Sequence, residues 1–223
     1  MSLRSYNQYC ALARALDVVG ERWTLLLVRE LLLGPRRFRD LLDGLPGIGT
    51  NLLSDRLKAL GAAGIVRKAV LPPPAASAVY ELTDLGRELE PAVLALGRFG
   101  AAFLGQRGER DFADAGWFFV SIRATFRPER AAGVRESYEF RIDGKPFSVR
   151  VSDGDARTAQ GAPEDPDLVT TTDLDSFVAL LAGELEPEDA VTSGRVAIEG
   201  DPAALRRFVE IFAWPPRTLP ADA

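Results

Sequence analysis

The stretch Phe38-Arg-Asp-Leu-Leu-Asp-Gly-Leu-Pro-Gly-Ile-Gly-Thr-Asn-Leu-Leu-Ser-Asp-Arg-Leu-Lys-Ala-Leu60 decides how this chain is read. Phe38, Leu41, Leu42 and Leu45 recur at i, i+3, i+4 and i+7, which puts them on one face of a short helix. Gly44, Pro46, Gly47 and Gly49 then crowd positions that no helix interior tolerates, so the chain turns there. A second helix follows, capped by Gly49 or Thr50, with Leu53, Leu57 and Leu60 as its buried stripe. Its other face carries Thr50, Asn51, Ser54, Asp55 and Lys58, with Arg56 towards the flank. After Gly61 and Gly64, a β-rich run from Ile65 to Leu71 reaches a tip at Pro72, Pro73 and Pro74 and returns from Ala78 to Leu82. Helix, turn, helix and hairpin in that order spell a winged helix-turn-helix. The short polar side chains of its second helix suit a major groove of double-stranded DNA.

Further motifs flank this core. The run Leu16-Asp-Val-Val-Gly-Glu-Arg-Trp23, the segment Leu25 to Leu31, Gly34-Pro-Arg-Arg-Phe38 and Leu82-Thr-Asp-Leu-Gly86 resemble the HxlR family of bacterial transcriptional regulators, over roughly Tyr9 to Phe99. The resemblance implies a dimer that binds a near-palindromic operator through the second helix, a role that falls on Thr50, Asn51, Ser54, Asp55, Arg56 and Lys58. The chain departs from the family at Gly49, where a Ser is usual, near Asn51, where a Lys or other long polar side chain is usual, and at Ser77, where the wing tends to carry an Arg. The last departure removes one expected minor-groove or phosphate contact.

Leu85 to Leu104 reads as a long helix, capped by Thr83, with Leu85, Leu89, Val93, Leu96, Phe99 and Phe103 at three- and four-residue spacing. In the resembling family this helix and the amino-terminal one, here about Tyr6 to Val18, form the dimer interface. Such stripes can also be intramolecular core, but this one is longer than a small winged helix covers, which favours a homodimer. Cys10 falls where many HxlR-type proteins carry a cysteine, which the resemblance makes a candidate redox sensor if Arg14, one turn on, supplies positive charge. The alternative is a small apolar residue packed in the dimer helix.

Charge divides the chain in the same place. Residues 1–108 hold fourteen Lys and Arg against ten Asp and Glu, a net of +4, while the remainder holds thirteen against twenty-two, a net of −9. The basic half is the winged-helix half, with Arg36, Arg37, Arg39, Arg56, Lys58, Arg67 and Lys68 as its local concentration. Any one of them can be a solvated surface charge. As a group beside the motif they favour phosphate contact, and Arg37, Arg67 and Lys68 join the candidate DNA-binding residues.

Composition also excludes. The chain has no histidine and one cysteine, so His-based triads, His metal sites, thiolate clusters and an intramolecular disulfide are all out of reach. No nucleophile, base and orienting group converge in any motif, so neither an enzyme nor a cofactor is expected. The amino terminus has no apolar signal core and no apolar run approaches the roughly 20 residues that cross a bilayer, so a soluble cytoplasmic protein that does not engage membranes is expected.

A boundary is expected near Gly105 to Asp114, dividing residues 1–108 from 109–215, with 216–223 as a flexible tail. Beyond it the pattern predicts strands at Trp117 to Phe126, Tyr138 to Ile142, Pro146 to Ser152 and Asp155 to Gln160, with a hairpin turn at Asp143-Gly144-Lys145. Helices are predicted at Leu174 to Ala182, Pro187 to Thr192 and Pro202 to Phe212, with a strand from Arg195 to Glu199. Strands followed by helices imply an α+β domain. Asp173-Leu-Asp-Ser-Phe177, Leu180-Leu-Ala-Gly-Glu184, Pro187-Glu-Asp-Ala190 and the run Ser193 to Pro202 resemble the sterol carrier protein type 2 fold, which implies a hydrophobic cavity for lipids or other apolar molecules. Trp117, Phe119, Phe140, Phe147, Phe177, Leu181, Phe208 and Phe212 are the candidate lining, and each is equally the kind of residue that fills an ordinary core.

Together these features describe a homodimeric DNA-binding regulator whose acidic carboxy-terminal domain binds an apolar or amphipathic small-molecule effector. Two alternatives stand beside it: a carboxy-terminal domain that is only structural or protein-binding, and a lipid-carrying or sequestering protein with a vestigial winged helix.

Overall fold

Leucines at helical spacing build the first half of the molecule around one small core. In a computed structural model, residues 5–101, 103, 108 and 111–214 are described, and they divide into two compact units, Met1–Val93 and Leu94–Ala223. The first unit runs α1 (Ala11–Val19), α2 (Thr24–Leu32), α3 (Phe38–Gly44), α4 (Thr50–Ala62), β1 (Val66–Val70), β2 (Ala78–Leu82) and α5 (Asp84–Arg87), and leads into α6 (Glu90–Ala101). Leu41 and Leu45 from the end of α3, Leu53, Leu57 and Leu60 from α4, and Val66 and Leu82 from the wing are all buried in one cluster. Helix α2, which carries no cap signal in sequence, supplies Leu27, Val28 and Leu31 to its centre. The wing is antiparallel, with Val66 opposite Leu82 and Val70 opposite Ala78. Arg36 adds a backbone bridge to Tyr80 on its free edge.

Two expectations for the helices change. The amino-terminal helix starts at Ala11 rather than Tyr6, because the Tyr6 N–H donates to the Asp17 carboxylate at 2.9 Å and Asn7 turns to a φ of 54°. The long helix expected from Leu85 breaks into α5 and α6. Pro91 has no N–H to offer the Arg87 carbonyl, and its ring crowds that oxygen, so the helical ladder stops at Arg87 and restarts at Glu90. The cap is as expected, with Thr83 Oγ1 accepting from the Gly86 N–H at 3.0 Å. Gly86 is obligatory there, since a Cβ would lie 2.2 Å from the Ile65 carbonyl oxygen. Leu104 and the tail 216–223 lie outside the described residues.

The second unit holds a five-stranded mixed sheet in the order β5-β4-β3-β6-β7, formed by β3 (Arg135–Ile142), β4 (Lys145–Ser152), β5 (Asp155–Gln160), β6 (Leu168–Thr172) and β7 (Val196–Gly200). Only β3 and β6 run parallel. Asp143 and Gly144 (φ 50° and 75°) turn β3 into β4, and Asp153 and Gly154 (φ 49° and 86°) turn β4 into β5, as Asp-Gly pairs do in tight hairpins. Helices α7 (Ala115–Thr125), α8 (Leu174–Leu181), α9 (Pro187–Thr192) and α10 (Pro202–Phe212) complete the α+β domain.

The strand expected at Trp117 to Phe126 is instead helix α7. Its aromatic and β-branched content reads as strand, but Ala115, Phe119 and Ile122 are buried at helical spacing, and Asp114 caps the helix by accepting from the Gly116 N–H at 2.8 Å. Strand β6, Leu-Val-Thr-Thr-Thr, was not expected at all. It is a short central strand, buried at Leu168, Val169, Thr170 and Thr172.

Candidate nucleic-acid interface

Helix α4 is held by its leucine stripe, which leaves the opposite side free. Thr50, Asn51, Asp55 and Lys58 are exposed, and Ser54 and Arg56 are half-buried. Asn51, Asp55 and Lys58 follow one another at four- and three-residue spacing and so share a face. The helix begins at Gly49 without a side-chain cap, its first turn closed by the Leu53 N–H to the Gly49 carbonyl at 2.9 Å. The bend before it needs Gly47, whose φ is +94°.

The basic residues divide by what they touch. Arg39 pairs with Asp43 at 3.7 Å, Arg67 with Glu81 at 2.7 Å across the wing, and Arg56 with Glu21 at 2.9 Å. Among the described residues no carboxylate pairs with Arg37, Lys58 or Lys68. Lys68 lies over the Tyr80 ring, 5.7 Å from its centre. Arg37 Nε donates to Ser77 Oγ at 2.9 Å, which brings a guanidinium to the wing position where the family's Arg is missing. Asp40 holds the start of α3 beside it by accepting from the Arg37 N–H at 3.0 Å. The candidate set therefore gathers on α4, the start of α3 and the wing, but Arg56 and Arg67 are already engaged by acids. The Arg56–Glu21 pair spans 35 residues of sequence, and no local pattern announces it.

Cys10 is exposed and sits at the amino-terminal end of α1, where its carbonyl accepts from the Arg14 N–H at 3.0 Å. The Arg14 guanidinium is directed to Ser5 Oγ at 3.1 Å and Asp17 Oδ2 at 3.3 Å. Donation from the Tyr6 N–H holds the Asp17 carboxyl below its ordinary range against the opposing effect of burial, and Ser5 and Arg14 add to the lowering. Of the long apolar stripe, Leu89 and Val93 pack on the winged-helix core. Leu85, Leu96, Phe99 and Phe103 are each more than half exposed, as is Leu12 on α1.

In the second unit, seven of the eight candidate lining residues come together. Phe119, Phe140, Phe147, Phe177, Leu181, Phe208 and Phe212 are all buried in one cluster. Phe119 stacks on Phe147 with ring centres 4.2 Å apart, and Phe208 lies 4.4 Å from Phe140 and 4.7 Å from Phe212. Trp117 stands aside, half-buried and edge-on to Phe112. Tyr138, absent from the candidate list, is fully buried beside Phe208 and hydrogen-bonds to Glu136, which Arg207 also holds. Burial pushes the Tyr138 phenol far up, and Glu136 adds to this. Among the described residues no helix is long and apolar enough to cross a membrane.

Comparison with known proteins also finds two regions. Residues 18–108 match the HxlR-like helix-turn-helix family, and residues 122–213 match the SCP-2 sterol transfer family. An uncharacterized HTH-type transcriptional regulator of Synechocystis, sll1512, is 37% identical over 97 residues, covering 44% of this chain and 72% of that protein. The HTH-type transcriptional regulator YodB of Bacillus subtilis is 36% identical over 76 residues, covering 34% of this chain and 68% of that protein. Among solved structures, the redox regulator HypR in its reduced form is 31% identical, covers 43% of this chain and 95% of its own, and superposes with a TM-score of 0.40. The chain thus belongs to the HxlR-like helix-turn-helix family of transcriptional regulators, and the region following its winged helix resembles the SCP-2 sterol transfer family.

Proposed function

We propose that this protein is a cytoplasmic, homodimeric transcriptional regulator that reads double-stranded DNA with α4. The observation that carries the reading is the exposed polar face of α4, with Thr50, Asn51, Asp55 and Lys58 open beside Arg37 and Lys68, which no described carboxylate neutralises. Short polar side chains reach base edges while flanking cations take phosphates. Half-buried Ser54 and Arg67, exposed on the wing and paired with Glu81, complete the candidate set. The exposed stripe of Leu96, Phe99 and Phe103, with Leu12 on α1, supports the dimer, since exposed apolar side chains in such series mark association sites. The test is selection of duplexes from a random-sequence pool, which should return two inverted half-sites about one helical turn apart or a small multiple of it. Lys58→Ala should then lower the salt dependence of binding by a slope of about one. A pool without enrichment would overturn the reading.

For the second domain, one observation favours a different reading from the sterol-binding one its family suggests. The side chains that would line a cavity are packed ring on ring, so an apolar effector would have to displace them. We take this domain as a filled structural or protein-binding module.

A further inference from the structure

The turn between α1 and α2, residues 20–23, touches the helix-turn-helix at two places. Glu21 Oε2 accepts from Arg56 Nη2 at 2.9 Å, and the Arg22 carbonyl accepts from Arg56 Nε at 3.2 Å. The Trp23 ring lies against the bend that precedes α4, where a Cβ on Gly47 would meet it at 3.6 Å. Trp23 holds a φ of 76° in this position, a left-handed conformation that a bulky residue keeps only where its surroundings impose it.

We infer that Glu21, the Arg22 carbonyl and the Trp23 ring form a brace that sets the direction of α4, and that Arg56 is a positioning residue and not a DNA contact. This rests on the reading of α4 as the DNA-reading helix. The leucine stripe fixes which side of α4 is buried, but a single stripe resists tilt and rotation weakly. Arg56 supplies what the stripe lacks: its planar fork makes two directed bonds to groups more than thirty residues away, on the flank of the helix. Its side chain is 19% exposed, against 51% for Glu21, so the guanidinium is the inner partner of the pair. To reach a phosphate it would have to abandon both bonds.

The two roles differ in sign. With the full chain and a duplex that the wild type selects from a random pool, a brace predicts that Glu21→Ala and Arg56→Ala each weaken binding, by roughly fivefold for a charged hydrogen-bonded pair. The double variant should be no weaker than either single one, and the salt slope should stay at the wild-type value. If Arg56 instead touches a phosphate, Glu21→Ala tightens binding, because it removes a negative charge and frees the guanidinium, and Arg56→Ala lowers the slope by about one. That result overturns the brace and leaves the DNA-reading role of α4 standing. If the wild type selects no duplex, the DNA reading fails, and amide exchange in the free chain decides the brace. Faster exchange over residues 50–57 in both variants supports it, and unchanged exchange in both overturns it.

Discussion

Thr170 lies at the centre of the question of what the second domain holds. It sits on β6 directly opposite Phe140 of β3, fully buried, and among the described residues its hydroxyl finds no hydrogen-bond partner. Burying an unpaired hydroxyl costs about 1–3 kcal/mol, a cost a folded core does not carry without a reason. If the aromatic cluster is simply filled, the hydroxyl is a defect, and Thr170→Val, which keeps the branched shape, should raise stability by about 1 kcal/mol. The denaturation midpoint of the full chain measures this. A lower midpoint would mean that the hydroxyl has a hydrogen-bond partner within the domain and is not a defect.

Elements differ in how far the sequence announces them, and the reasons are local. Helices α3 and α4 and the wing are legible because each carries its own period and its own punctuation: leucines at helical spacing, Gly47 and Gly49 at the bend, three prolines at the wing tip. The Asp143-Gly144 hairpin is legible for the same reason. Helix α7 is not, because its aromatic and β-branched residues favour strands while its partners, which decide the matter, lie in β4, β5 and α10. Strand β6 is buried at Leu168, Val169, Thr170 and Thr172, so it shows no alternation, and its three threonines break up any apolar run. The candidate DNA residues can be read from the exposed face of α4, but the Arg56 bond to Glu21 is a tertiary fact with no local trace. The break before Pro91 bears on assembly, since it separates Leu89 from the exposed Leu96 and Phe99 of α6 and from Phe103 just beyond it. If that face is the dimer seam, Leu96→Glu places a charge where it would be desolvated without a partner, at a cost of several kcal/mol in order of magnitude. Sedimentation at micromolar concentration should show a wild-type dimer and a monomeric variant that has lost operator binding. A wild-type monomer would remove the seam.

At the scale of the whole molecule the charges are sorted, with a net of +4 in residues 1–108 and −9 in the rest. On the proposed reading, such a division leaves specific recognition to the polar face of α4 but acts on every encounter with DNA, because the acidic part repels phosphate wherever the two come within a Debye length. At about 0.01 M salt that length is roughly 30 Å, comparable to a small domain, while at 1 M it falls to about 3 Å. The acidic domain would in this way suppress non-specific binding without touching the DNA, raising the ratio of operator to non-operator affinity. Truncation after Gly108 tests this. The shortened chain should still dimerise and bind the selected duplex, and at low salt it should bind non-specific DNA more tightly than the full chain does. The difference should shrink towards nothing as salt rises. An excess affinity that persists at high salt would show that the second domain acts through contact and not through its field. Loss of operator binding on truncation would show that the winged helix needs the second domain to read DNA.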